Sequence, residues 1–296
     1  MGTELRGKAV ADSITEDLIK RTESLKDGGV HPKLSIIRIG TRADDLSYEN
    51  GAKKRAERIG ILVETHELPE DSGKETVLSI IQKLNQDDSV HGILLFCPLP
   101  DHLRADEQWI RDSILPEKDM DCLTTLSSSG VYLGRNTGYP PCTPQACIEL
   151  LKYYGIKLCG KKVTVLGRSS VVGKPLSMML LNENATVTIC HSKTRNIEEQ
   201  ARNADILVSC MGRLHSVGAA FVREGQTVLD VGINYDPATG KISGDVDTEA
   251  VTGIVDGITP VPGGIGSITS AVLMKHVVLA AEKKAGMLYG KETVRK

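Results

Sequence analysis

Near the start of the chain Val10, Ile14, Leu18, Ile19 and Leu25 recur at helical spacing, and LSIIRIG (34–40) follows as a short apolar run closed by glycine. The pattern predicts a helix and then a buried strand. It continues as a helix through ENGAKKRAERIG (49–60), a strand in ILVETHEL (61–68), a helix around Val77, Ile80, Ile81 and Leu84, and a strand in GILLF (92–96). Repeated alternation of this kind predicts an α/β fold, a layered sheet with helices on its faces. Between about 114 and 144 the periodicity fails in LPEKDMDCLTTLSSSGVYLGRNTGYPPCTP, which reads as a long loop or a domain junction. A second series follows: a helix over 144–154, a strand in KKVTVLG (161–167), a helix from about 172, a strand in ATVTIC (185–190), a helix near 196–203, and strands in DILVSC (205–210) and QTVLDVG (226–232). The domain boundary is placed at 143/144. A last helix runs from about Thr269 to Lys284, and its periodicity does not say which domain it joins.

The chain has 296 residues, enough for two domains, with 40% hydrophobic and 25% charged residues. A formal charge of −2 gives no overall attraction to nucleic acid or to anionic lipid, so a small-molecule ligand is the expected partner. Seven cysteines without C-x-x-C spacing read as free thiols of a reducing cytoplasm, and no metal is expected. The start MGTELRGKAV lacks the apolar run of a signal peptide, and no apolar stretch is long enough for a membrane span.

KKVTVLGRSSVVGKP (161–175) reads as a strand, a turn with Gly167 and Gly173, and the start of a helix. Such a turn aims backbone N–H groups and a positive helix end at a phosphate, although the spacing is G-x-x-x-x-x-G and a plain strand-to-helix connection would use the same glycines. The next strand ends in ICHSKT (189–194), where a dinucleotide site reads the ribose 2′ position. Donors and positive charge stand there instead of a carboxylate: His191, Ser192 and Lys193, with Arg168 from the first turn. Arg168 and Ser192 carry the expectation of NADP over NAD. DGITPVPGGIGSIT (256–269) combines two prolines with four glycines, stiff enough and bare enough to grip a flat ring, or simply a turn into a helix. Asp121, in EKDMDCL, is a carboxylate that paired donors of a heterocycle would suit.

Tyr48 at a helix, GILLFCPLP, PEKDMDCL, PPCTPQA, GRSSVVGKP, CHSKT, DVGIN, GDV and TPVPGGIGSIT occur in this order. In that arrangement the whole chain resembles the methylenetetrahydrofolate dehydrogenase/cyclohydrolase family. The resemblance implies two α/β domains flanking a cleft, the C-terminal one a Rossmann-like parallel sheet, with residues 1–143 and 270–296 binding folate and 144–269 binding NADP. It implies a homodimer. It also implies that Tyr48 stacks on the folate, Asp121 holds the pterin N–H groups, and Pro262, Gly263 and Gly264 line the folate pocket. Gly167, Arg168, Ser169, Gly173, Ser192 and Ile233 would hold the cofactor.

Departures from the family pattern set the functional expectation. The family has lysine four residues after the tyrosine, and here that position is Ala52; Lys53 and Lys54 stand at offsets that face elsewhere on a helix. Phe96 replaces the family's glutamine in GILLFCPLP. Cys122 stands where glycine commonly follows the aspartate, and Ser267 where proline commonly follows the glycine-rich turn. Hydride transfer needs no proton carrier, whereas opening of the methenyl bridge by water does. The expected activity is therefore NADP-dependent dehydrogenation with cyclohydrolase weak or absent, the missing activity coming from a separate protein. The competing readings are a bifunctional enzyme with a relay rebuilt on Lys53 or Cys97, a catalytically silent folate-binding protein, and a Rossmann dehydrogenase for another substrate.

Overall fold

The computed structural model describes residues 2–286, so residues 287–296, assigned to the first domain from the sequence, lie outside the described residues. The chain opens with a short strand β1 (Thr3–Glu4) and a helix α1 (Gly7–Asp27). Two compact units follow from the packing: a first unit of Ser13–Pro140 with the chain from Ser270, and a second of the residues up to Asp12 with Pro141–Thr269.

In the first unit β2 (Lys33–Ile39), α2 (Ala43–Ile59), β3 (Leu62–Leu68), α3 (Lys74–Gln86) and β4 (Gly92–Leu95) form two consecutive β–α–β units. The sheet is wholly parallel in the order β3-β2-β4. β2 and β4 are buried along almost their whole length, as parallel central strands must be, and Ile37, Val77, Ile81, Ile93 and Leu95 form one side of the core. A short helix α4 (Glu107–Asp112) and a further helix α5 (Thr125–Leu133) complete this half. The expected loop over 114–144 is thus corrected by α5. Its Ser-rich sequence has no apolar stripe, but Thr124 accepts the N–H of Ser127 at the start and Gly134, at φ 64°, closes the end.

The second unit contains α6 (Cys142–Tyr153), β5 (Lys162–Leu166), α7 (Gly173–Asn182), β6 (Thr186–Cys190), α8 (Ile197–Arg202), β7 (Ile206–Ser209), β8 (Thr227–Asp230), the hairpin β9 (Asn234–Asp236) and β10 (Lys241–Ser243), α9 (Thr248–Val251), and β11 (Gly257–Ile258). Its six-stranded sheet runs β1-β11-β8-β7-β5-β6, every pair parallel. This is the doubly wound arrangement: β6 lies on one side of β5 and β7 on the other, so the strand order reverses between β6 and β7. Residues 2–12, placed by the sequence reading in the first domain, belong here instead. The reason is pairing: Leu5 N–H donates to Ile258 O at 2.8 Å and Gly7 N–H to Gly263 O at 2.8 Å, so β1 extends the sheet edge. The boundary falls at 140/141, three residues before the expected one, because α6 begins at Cys142.

The last helix, α10 (Thr269–Lys284), packs from Ser270 onward in the first unit. Ala271, Val272, Leu273, Met274, Val277 and Val278 are all fully buried, so the helix is apolar around most of its circumference and becomes core. Polar contacts fix its register: the Arg21 guanidinium grips the Glu282 carboxylate at 2.8 and 2.6 Å, and Arg55 Nε donates to Ser270 Oγ at 2.8 Å. No helix among the described residues is long and apolar enough to cross a membrane.

Candidate functional site

In the first unit the candidate residues gather at the carboxyl ends of β2 and β4. Helix α2 turns Asp45, Glu49, Ala52, Ala56 and Ile59 inward at helical spacing. Tyr48 is half-buried, and Ala52, four residues on and therefore on the same side, is fully buried. Phe96 follows β4 directly and meets Tyr48 edge-on, with ring centroids 6.0 Å apart and planes at 88°. A methyl group and an aromatic ring thus stand in the positions at which the sequence comparison sought a lysine and a glutamine.

Lys53 is turned to the neighbouring stripe, where its Nζ lies 2.6 Å from Glu49 Oε1. Glu49 is buried and also accepts from Arg38 Nε at 2.9 Å and from Thr65 Oγ1 at 3.0 Å. Burial pushes the Glu49 carboxyl up, but the bonds from Lys53, Arg38 and Thr65 outweigh it and hold the group below its ordinary range. Lys53 is therefore the partner of a persistent anion. Together with Lys54, Lys26 and Glu57 it borders a separate depression that includes neither Tyr48 nor Phe96. Cys97, the other candidate relay, packs against the apolar core, and burial pushes its thiol up to about 11 despite the nearby Arg111.

Asp121 lies close enough to Cys97 to disfavour its thiolate further. Its segment is braced on both sides. Asp119 accepts the N–H groups of Leu123 and Thr124, each at 2.9 Å, and the His276 ring from α10 bonds through Nδ1 to Met120 O at 2.9 Å. Gly92 leaves room for Met120: a Cβ there would sit 2.5 Å from Met120 Cγ. Cys122, where glycine was the expected residue, takes φ 58°, the left-handed conformation that glycine adopts without strain.

In the second unit a cavity of about 450 Å³ opens at the ends of β5, β6 and β7, on the side where a doubly wound sheet binds its ligand. Gly167, Arg168 and Ser169 border it after β5, and His191, Ser192 and Thr194 after β6. Lys193 and Gly173 do not. Gly173 is a packing glycine, since a Cβ there would run into the Gly167 carbonyl, and Gly167 itself takes φ 128° against Cys210. Ser169 Oγ accepts the N–H groups of Val172 and Gly173 at 3.1 and 3.3 Å, which leaves its own O–H to donate. After β7, Cys210, Met211 and Arg213 complete the wall, and none of these was anticipated, because no motif marks them. The lining carries two arginines and a histidine and no carboxylate, a donor set that fits a phosphorylated dinucleotide. Ile233 lies outside this wall, 68% exposed, three residues after β8.

The glycine-rich segment belongs to the same unit. Pro262 follows a cis peptide bond, Gly263 takes φ 105°, and Gly264 has no space for a side chain, its Cβ falling 2.5 Å from Pro260 O. Its end, Ile265–Ser267, is a single 3₁₀ turn, which Ser267 enters without a proline.

Residues 5–121 match the family model for the catalytic domain of tetrahydrofolate dehydrogenase/cyclohydrolase, and residues 141–285 match the model for its NAD(P)-binding domain. The chain belongs to the tetrahydrofolate dehydrogenase/cyclohydrolase family. It is 52% identical over 281 residues to the bifunctional protein FolD of Clostridioides difficile, covering 95% of this chain and 97% of that one. Among solved structures, the bifunctional FolD of Campylobacter jejuni superposes with a TM-score of 0.91 at 38% identity, over 96% of this chain and 99% of that one. The Trypanosoma brucei methylenetetrahydrofolate dehydrogenase-cyclohydrolase, solved with NADP and an inhibitor, gives 0.88 at 34% identity, over 95% and 98%. This member of the family thus shares the α/β fold and the two-domain plan of its relatives across nearly its whole length.

Proposed function

We propose that this family member is an NADP-dependent methylenetetrahydrofolate dehydrogenase of one-carbon metabolism in which cyclohydrolase activity is weak or absent. The observation that carries the second half is the pair beside Tyr48: a buried Ala52 and Phe96, with Lys53 engaged by Glu49. In this reading the first unit binds folate, Tyr48 stacking on the ring system and Asp121 accepting the pterin N–H groups; Pro262, Gly263 and Gly264, which belong to the second unit, are the further residues that the resemblance gives to folate. The second unit binds the dinucleotide through Gly167, Arg168, Ser169, Ser192 and Ile233, with the bare surface of Gly173 allowing the turn to close. NADP held by these residues would supply the acceptor for a hydride from the methylene bridge of the folate.

That step asks the protein to orient two ligands and to keep water out, and none of it requires a side chain that carries a proton. Addition of water to the methenyl bridge does require one, and such help contributes about 10²–10⁴ in rate. Neither a methyl group nor a phenyl ring can give it. The Cys97 thiol, held near 11, stays protonated and is a poor base at neutral pH. The protein is taken as a cytoplasmic homodimer.

The second reading, a fully bifunctional enzyme, draws its support from the 52% identity to a protein named as bifunctional. A paired assay separates the two: NADPH formation from methylenetetrahydrofolate, and decay of methenyltetrahydrofolate against a control without protein. The first reading expects NADPH with decay at the control rate. Strong acceleration of both establishes the second, and ligand binding without NADPH formation would leave a silent folate-binding protein.

A further inference from the structure

Arg213 stands in the loop that follows β7, exposed, at the wall of the same cavity as Arg168, His191 and Ser192. Among the described residues the structure gives neither guanidinium a side-chain acceptor. Two arginines of one sign at a concave wall without a carboxylate raise each other's energy until an anion arrives, and they focus a positive potential on it.

The backbone that carries Arg213 is held by a buried carboxylate. The fully buried Asp245 carboxylate accepts five hydrogen bonds: from Ser209 Oγ at 2.9 Å, the N–H groups of Met211, Gly212 and Arg213 at 2.7, 3.3 and 2.8 Å, and Asn234 Nδ2 at 3.0 Å. Gly212, at φ 64°, bends the chain so that successive N–H groups point at one carboxylate. Asp230 secures Asp245 in turn, accepting the N–H of Asp245 at 3.0 Å and of Val246 at 2.9 Å. A buried network with this many satisfied donors rigidifies the backbone from Met211 to Arg213.

We infer that Arg213 is a second guanidinium for the cofactor's 2′-phosphate, opposite Arg168, and that Asp245 is the positioning residue that sets it there. The inference rests on the NADP reading above and adds a residue to it. A phosphate monoester presents three acceptor oxygens, enough for Arg168, Ser192 and Arg213 together. A free 2′-hydroxyl offers no charge to either arginine.

The test is binding, read as the Kd of NADPH and of NADH from the fluorescence of the reduced nicotinamide on titration with the purified full-length protein. Arg213→Gln is on the surface and leaves the backbone bonds to Asp245 in place. It is expected to weaken NADPH by about tenfold, the usual worth of a hydrogen bond to a charged group, while NADH changes less than twofold. Arg168→Ala serves as the reference for the NADP reading. Asp245→Asn is expected to reproduce the NADPH-selective loss, and the double variant Asp245→Asn with Arg213→Gln to add little to it, as coupled residues do. Equal losses of NADPH and NADH in Arg213→Gln, as for an arginine stacked on the adenine, would overturn the inference while Arg168→Ala still upholds the NADP reading. Wild-type protein that binds NADH as tightly as NADPH would overturn both. Additive effects in the double variant would remove Asp245 from the positioning role.

Discussion

Restoring a proton carrier beside Tyr48 takes two substitutions, because a buried methyl group and an aromatic edge both occupy the place. Ala52→Lys alone forces a long side chain into a position with no exposed surface, at a cost of about 1–3 kcal/mol, and leaves the Phe96 ring against Tyr48. Ala52→Lys with Phe96→Gln both removes the ring and supplies an amide partner. The double variant is expected to speed methenyltetrahydrofolate decay at least about tenfold over wild type, part of the 10²–10⁴ available to acid–base help. Its melting temperature, measured alongside, shows whether the core accepted the change. The significance of Ala52 came from the resemblance, which puts a lysine four residues after Tyr48; the poor offset of Lys53 came from helical spacing. The Glu49–Lys53 pair, four residues apart on α2, is local as well; what the sequence hid is the burial of Glu49 against Arg38 and Thr65, which meet it only when α2 lies on the sheet. Arg213 was illegible for the same reason: the sequence around it has no phosphate motif, and its orientation comes from a carboxylate 32 residues away.

At the level of elements, local signals were readable wherever periodicity and capping agreed. The two strand–helix series follow apolar runs that a parallel sheet buries on both faces, so their order could be written down from the pattern alone. Helix α5 escaped because its serines carry no stripe and its stability comes from its two ends and from the tertiary contacts of Ser127 and Gly130. Strand β1 escaped because two residues make no pattern. The turn between β5 and α7 offers a check on the packing role given to Gly173. A Cβ there would meet backbone, 2.9 Å from Arg168 N and closer still to the Gly167 carbonyl, and backbone cannot step aside as a side-chain tip can. Gly173→Ala is expected to destabilise the protein by about 1–3 kcal/mol in urea unfolding, in spite of alanine's better helix propensity, and to weaken NADPH binding. Unchanged stability would mean that the turn is free to shift.

For the molecule as a whole, acid sensitivity has an identifiable source. His91 is buried, its Nδ1 accepts the N–H of Lys33 at 3.2 Å, and burial together with Lys284 and Lys118 lowers its pKa to about 4. The unfolded chain takes up this proton near 6.5 and the folded chain only near 4, so the unfolded state binds more protons between those values. The contribution of His91 is complete above pH 6.5 and is lost as the pH falls toward 4. Asp230, which burial pushes up to about 6, acts in the opposite sense over part of that range, so a variant difference isolates His91 where the raw profile does not. His91→Gln is expected to flatten the fall in urea midpoint between pH 7 and pH 5; an unaltered slope would place the sensitivity elsewhere.

The parallel strand β1 gives the chain a particular history during synthesis. Its partner β11 lies some 250 residues downstream, at Gly257–Ile258, so β1 waits for the whole intervening chain before it can pair. Likewise the first unit waits for α10. The polypeptide passes from one unit to the other at 12/13, 140/141 and 269/270, and neither unit is a continuous stretch that a gene fragment could encode. A fusion partner joined directly ahead of β1 therefore sits at the edge of the nucleotide-binding sheet, and a gene cut at residue 140 separates β1 from its sheet and α10 from the unit it completes.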